Sequence, residues 1–137
     1  MQIGVELSRA LENRRVFVVM EDEILRAALQ FMLHDDNEAH EIRDPEEACA
    51  KAARSPVDLV LLDMAFLWSR GIGLLAKLRQ DIPGAKFLLV AESADDPDAH
   101  ACLASGAIGI VGKPLKVAEV RRVVDKALGR VPARLAA

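Results

Sequence analysis

The chain has 137 residues, 52% hydrophobic and 28% charged, with a formal net charge of −3; this fits one soluble domain with a substantial core and gives no global basic field for polyanions. Aromatic residues are scarce at 4%, with no Tyr and one Trp, which argues against a base-stacking nucleic-acid platform. No apolar run approaches the about 18 residues of a membrane span, and Glu6, Arg9 and Glu12 interrupt the stretch a signal peptide would need, so the expectation is a cytoplasmic protein.

Ile3, Leu7 and Leu11 recur at every fourth residue, so residues 1–13 read as an N-terminal extension with a short helix. Val16 to Met20 is a strand-length apolar run, and Ile24, Leu25, Ala28, Leu29, Met32 and Leu33 then recur at helical spacing. Ala39 to Ile42 is a weaker strand. Asp44-Pro45 opens a helix by the cap-then-proline rule, with Ala48, Cys49, Ala52 and Ala53 on one face. Val57 to Leu62 is a buried strand ending at Asp63, and Leu74, Leu75 and Leu78 make the next helical face. Lys86 to Ala91 is a strand. Asp96-Pro97 opens a helix with Ala99, Cys102 and Leu103 inward, closed at Gly106. Ile108 to Val111 is the last strand. Val117, Val120, Val124, Ala127 and Leu128 mark the last helix, ended by Gly129, and residues 130–137 read as a flexible tail.

Five strand–helix units in strict alternation, with continuous apolar strands, indicate a parallel sheet covered on both faces. Right-handed crossovers favour a doubly wound arrangement, with the weak second and fifth strands at its edges. Cys49 and Cys102 are far apart and read as buried free thiols of a reducing compartment. His34, His40 and His100 show no metal-ligand spacing.

In such sheets the working site lies beyond the carboxyl ends of the strands. The residues there are Glu21, Asp22 and Glu23 after the first strand, Asp44 after the second and Asp63 after the third, then Glu92 and Ser93 after the fourth and Lys113-Pro114 after the fifth. Two carboxylates about 4 Å apart repel by roughly 1 kcal/mol in water and about 4 kcal/mol near a protein surface. Such a cluster calls for a positive partner, either a hard divalent cation or a lysine, which Lys113 supplies. Asp63 beside both would be an ionised nucleophile able to accept a phosphoryl group. From Lys113 onward seven basic residues face two acidic ones, a bias that reads first as a solvated helix face.

At this point the residues resemble the response-regulator receiver domains of two-component phosphorelay systems, of the chemotaxis-regulator type. The resemblance rests on VDLVLLDMAFLWSRGIGLLAKLR, with Gly71 eight residues after Asp63, on ASGAIGIVGKPL, and on RRVFVVMEDEILRAAL. It covers residues 14–129. It implies a flavodoxin-like fold with strand order 2-1-3-4-5, Asp63 as phosphoacceptor, Lys113 as the phosphate-sensing lysine, and a cis bond before Pro114. It also implies Mg²⁺ held by Glu21, Asp63 and the backbone carbonyl of Ala65, with Asp22 as a further candidate, and a histidine kinase or phosphotransfer protein as donor. A downstream protein partner is expected on the fourth helix, fifth strand and fifth helix. The same face allows a homodimer, and neither direct nucleic-acid binding nor a membrane role is expected.

The departures from the family pattern lie around the acceptor. Without a gap, Met20 falls on the first acidic position and Glu21 on the second; a one-residue slip would restore the pair as Glu21-Asp22. Ala91 stands where a Thr or Ser bonds the phosphoryl oxygen, Ile110 where an aromatic switch is common, and Leu67 where proline is usual. Two readings follow. One is an atypical receiver phosphorylated at Asp63 with a non-standard switch. The other is a phosphorylation-independent interaction module. An enzyme on the same fold is disfavoured, because Gly71-Ile72-Gly73 lacks dinucleotide spacing and Asp63-Met64-Ala65 lacks a second aspartate.

Overall fold

The computed structural model describes residues 13–130. The helix expected over residues 1–13 and the tail expected from Arg130 therefore lie almost wholly outside the described residues. Strands β1 (Arg14–Val19), β2 (Asn37–Ile42), β3 (Leu59–Asp63), β4 (Lys86–Ala91) and β5 (Gly109–Gly112) form one sheet in the order β2-β1-β3-β4-β5, and every pairing is parallel. The two weakest strands sit at the edges, as expected. Helices α1 (Glu23–Leu33), α2 (Pro45–Ala52), α3 (Met64–Arg70), α4 (Gly73–Asp81), α5 (Pro97–Leu103) and α6 (Val117–Ala127) connect and cover it. None of the described helices is long and apolar enough to cross a membrane.

The period of two along each strand divides the core. Val16, Val18, Leu59, Leu61, Leu88 and Val90 face one side, where Leu29 and Leu33 of α1 and Val120, Val123 and Val124 of α6 cover them. Phe17, Val19, Val60, Leu62, Phe87 and Leu89 face the other, under α2, α3, α4 and α5. Each such Val, Leu or Phe, taken fully out of water, contributes about 1.5–3 kcal/mol, which makes the three central strands the stable platform for whatever their ends carry.

Several boundaries and faces depart from expectation. β3 starts at Leu59 rather than Val57 and takes in Asp63 as its last residue. β5 is displaced by one residue, to Gly109–Gly112. Helix α3, directly after β3, was not expected, and Gly71 (φ 94°) turns the chain from it into α4. Ile24 is 82% exposed, not part of the buried face of α1. At about 100° per residue it lies roughly a third of a turn from the face of Leu25, Leu29 and Met32. Leu103 is partly exposed rather than inward. Both cysteines are free, but only Cys102 is buried; Cys49 is half-buried.

Candidate functional site

Each strand of a parallel sheet delivers its carboxyl end to the start of a helix, where the first amide N–H groups lack partners. Aspartates in this chain fill that need repeatedly. Asp22 Oδ1 accepts from the N–H of Ile24 at 2.9 Å and of Leu25 at 3.1 Å, capping α1. Asp44 Oδ1 accepts from Glu47 N–H at 2.8 Å, and Asp96 Oδ1 from Asp98 N–H at 2.8 Å. Of the acidic residues read as a cluster, Asp22 and Asp44 are thus engaged as caps. Met20 directly follows the last residue of β1, and Asp22 stands at the start of α1.

Asp63 does the same with one difference. Its Oδ1 accepts from Ala65 N–H at 3.0 Å and so caps α3, and its Oδ2, like the second oxygens of Asp22, Asp44 and Asp96, makes no hydrogen bond among the described residues; the difference is burial. The residue is only 7% exposed. Among the described residues the fully buried side-chain atom without a partner is Asn37 Oδ1; Asp63 Oδ2 keeps an opening to solvent and so remains reachable from outside. Ala65 meets Asp63 through its N–H, and its carbonyl belongs to the hydrogen-bond ladder of α3, which begins at Met64.

Met20 is fully buried, packed on the α1 and α6 side of the sheet. Its N–H continues the ladder to Ile42 O at 3.1 Å. Arg26 of α1 donates through Nη1 to the carbonyls of Met20 at 2.8 Å and Glu21 at 3.4 Å, pinning the turn that presents Glu21. No motif pointed to Arg26, which also donates through Nε to Glu41 Oε1 of β2 at 3.3 Å. Glu21 itself is exposed. Among the described residues no three His, Cys, Asp or Glu side chains converge as a metal-binding group.

Lys113 follows β5, and its N–H reaches back to Ala91 O at 3.0 Å. The Lys113–Pro114 bond is cis, as expected. The ammonium, however, donates to Glu92 Oε1 at 3.0 Å rather than to Asp63. The strand register places Asp63 beside Val90 and Ala91 beside Gly112, so Lys113 stands two strands from Asp63. At about 4.8 Å per strand, their backbones are roughly 10 Å apart. Glu92, one of the acids that follow the strands, is the direct partner of the lysine. Loop 92–96 packs closely on β5, since a Cβ on Gly112 would lie 2.4 Å from Ala94 N. Ala91 is buried and Ile110 half-buried, each presenting only hydrocarbon.

Helix α3 brings in a residue the sequence reading left without a role. Phe66 and Leu67 are buried, but Trp68 is 50% exposed and its indole N–H donates to Asp98 Oδ2 at 3.3 Å, in the first turn of α5. At the other end, Arg70 pairs with Glu46 of α2 and lies over the Phe66 ring at 5.5 Å. The sole Trp five residues after Asp63 was the available signal.

The sequence matches the response regulator receiver domain family over residues 16–125. This chain is a receiver domain of that family. Solved structures agree in fold. A response regulator from Thermotoga maritima is 23% identical, with a TM-score of 0.77, covering 85% of this chain and 98% of that one. The Vibrio cholerae chemotaxis protein CheY4 is 20% identical, with a TM-score of 0.74, covering 85% and 99%. NtrX from Brucella abortus, 22% identical with a TM-score of 0.76, is matched over 85% of this chain but only 27% of its own length. No curated protein matches the sequence significantly. Receiver domains are signalling modules of two-component systems, and that is the class of this domain.

Proposed function

We propose that this receiver domain accepts a phosphoryl group on Asp63 from a histidine kinase or phosphotransfer protein. The observation that carries the reading is the free Oδ2 of a buried carboxylate whose other oxygen is fixed by Ala65 N–H at 3.0 Å. Oδ2 attacks phosphorus, the bond from phosphorus to the donor imidazole breaks, and the imidazole keeps the electron pair. Lys113, drawn from Glu92, offsets charge on the transferred oxygens. The cap holds the nucleophile in one orientation, which lowers the entropic cost of the encounter.

The family implies Mg²⁺. With Met20 apolar, the charged donors that the resemblance assigns are Asp63 and Glu21, with the Ala65 carbonyl beside them and the second oxygen of Asp22 as a further candidate. Two carboxylates suit a Mg²⁺ that keeps most of its waters, so the residues fit a weakly held ion. Bound there, it would supply positive charge to the phosphoryl oxygens.

A second reading, a phosphorylation-independent interaction module, is favoured by Ala91 and Ile110, which remove the usual polar readout. Its surface would be α5, β5 and α6, where Lys86, Arg122 and Lys126 rim a groove floored by Ile108, Gly109 and Ile110. The same face would serve a downstream partner or a homodimer under the first reading. Incubation with Mg²⁺ and acetyl phosphate, followed by intact mass, separates the two. A phosphoryl adduct on wild type that is absent from Asp63→Asn supports the acceptor; no adduct, with full partner binding by Asp63→Asn, supports the module.

A further inference from the structure

The two positions that relay phosphorylation in most of the family carry only hydrocarbon here, yet Asp63 is wired to α5 by another route. We infer that the state of Asp63 is transmitted through α3 and Trp68 to α5, an inference that rests on Asp63 being the acceptor. The route has three links, a hydrogen bond at each end and the run of α3 between them. Asp63 Oδ1 caps α3 through Ala65 N–H at 3.0 Å. Buried Phe66 and Leu67 tie the turns of α3 to the core, and Trp68 follows them directly. The Trp68 indole N–H reaches Asp98 Oδ2 at 3.3 Å, in the first turn of α5.

The chemistry gives the route a direction. An ionised carboxylate is a charge-assisted acceptor, and such hydrogen bonds are roughly twice as strong as neutral ones. When Oδ2 forms the bond to phosphorus, Oδ1 becomes a neutral carbonyl oxygen and the cap weakens. Helix α3 is only seven residues long, so its first turn is a large part of it. Its far end is held to α2 by Arg70 and Glu46, which leaves Trp68 as the part free to respond. The Trp68 contact lies at the long end of hydrogen-bond range, so a small rotation of α3 breaks it. Because Trp68 is half exposed, the same rotation alters the surface beside the acceptor as well as α5.

Two-dimensional ¹H–¹⁵N NMR of the full chain tests this, with the sole Trp giving an unambiguous indole signal. Without any phosphoryl group, Asp63→Ala removes the cap and should shift the indole and the amides of Ala99 to Cys102. Asp63→Asn keeps an amide oxygen as cap and should shift them less. An indole and α5 unmoved in Asp63→Ala, or moved equally by both substitutions, overturn the relay. With Mg²⁺ and beryllofluoride as the probe, wild type should show shifts at Ala65, Lys113 and α5. Trp68→Phe should retain the first two and cut the α5 shifts by roughly half or more. Undiminished α5 shifts in Trp68→Phe overturn the relay and leave the acceptor standing. Beryllofluoride that moves neither Ala65 nor Lys113 counts against the acceptor alone, and the comparison of Asp63→Ala with Asp63→Asn still decides the relay.

Discussion

The two ends of the parallel sheet use the same kinds of side chain for opposite purposes. At the amino end, Arg15 of β1 pairs with Glu38 of β2 and donates to Pro56 O, while its N–H goes to Asp58 at 2.8 Å. His40 adds a contact of 2.9 Å to Glu38. Charges there answer one another across neighbouring strands. At the carboxyl end the aspartates cap helices, Lys113 is held by Glu92, and Asp63 alone is buried with an oxygen to spare. The difference shows that the number of acids at a sheet end does not mark a site. Helix starts take up the aspartates, Asp63 included, and what sets Asp63 apart from the other acids there is burial.

The largest expected effect comes from placing a further acid at the carboxyl end. Met20 is fully buried among Leu29 and Leu33. Met20→Asp should destabilise the domain by at least about 2 kcal/mol, from lost packing alone, and excess Mg²⁺ should restore part of that. Denaturant midpoints with and without Mg²⁺ measure both. A loss that Mg²⁺ leaves unchanged would mean that position 20 does not reach the metal site. Next comes Asp22. As a cap it should cost about 1 kcal/mol on Asp22→Ala, while Mg²⁺-dependent beryllofluoride binding persists. Abolished binding in that variant would make Asp22 a ligand and break the contrast between caps and acceptor.

Much of this was legible in advance, for identifiable reasons. The edge positions of β2 and β5 followed from their weak apolar runs, since edge strands bury less, while the full strand order came with the family resemblance. Asp63, Lys113 and the cis Pro114 lay in strings specific enough to carry a family. Helix α3 was not legible, because Met64 to Trp68 is an unbroken apolar run that only Asp63 separates from the apolar run of β3, and seven residues are too few to establish a period. The pairing of Lys113 with Glu92 spans 21 residues and two strand ends, and nothing local encodes it. Ile24 was misplaced because adjacent apolar residues at 24 and 25 leave the helical face ambiguous by one position.

A smaller effect should come from the lysine latch. The Lys113 side chain is 20% exposed and that of Glu92 is 67% exposed, so the pair is screened. Exposed pairs are worth about 0.2–1 kcal/mol. If a phosphoryl group on Asp63 must draw Lys113 away, Glu92→Gln should tighten beryllofluoride binding by up to about fivefold. Equal affinity in titrations of the two proteins would show that Glu92 and the phosphoryl group do not compete.

The smallest effect tests the closed end. Hydrogen bonds from Arg15 first, and from His40, hold the Glu38 carboxyl down to about 2, from an ordinary 4.5. A folded-state value below the unfolded one means that the ionised form is favoured by folding. The contribution is therefore complete above about 4.5 and is lost as pH falls from there through about 2. The Glu38 side chain is 40% exposed, and solvent screening limits its contribution to no more than about 1 kcal/mol. Glu38→Gln should lower stability slightly at neutral pH and flatten the acid limb, so that the two proteins converge at about pH 2–3. The test is urea unfolding across that range. A constant gap at every pH would show that the loss is one of packing, and that the amino end is closed by shape rather than by charge.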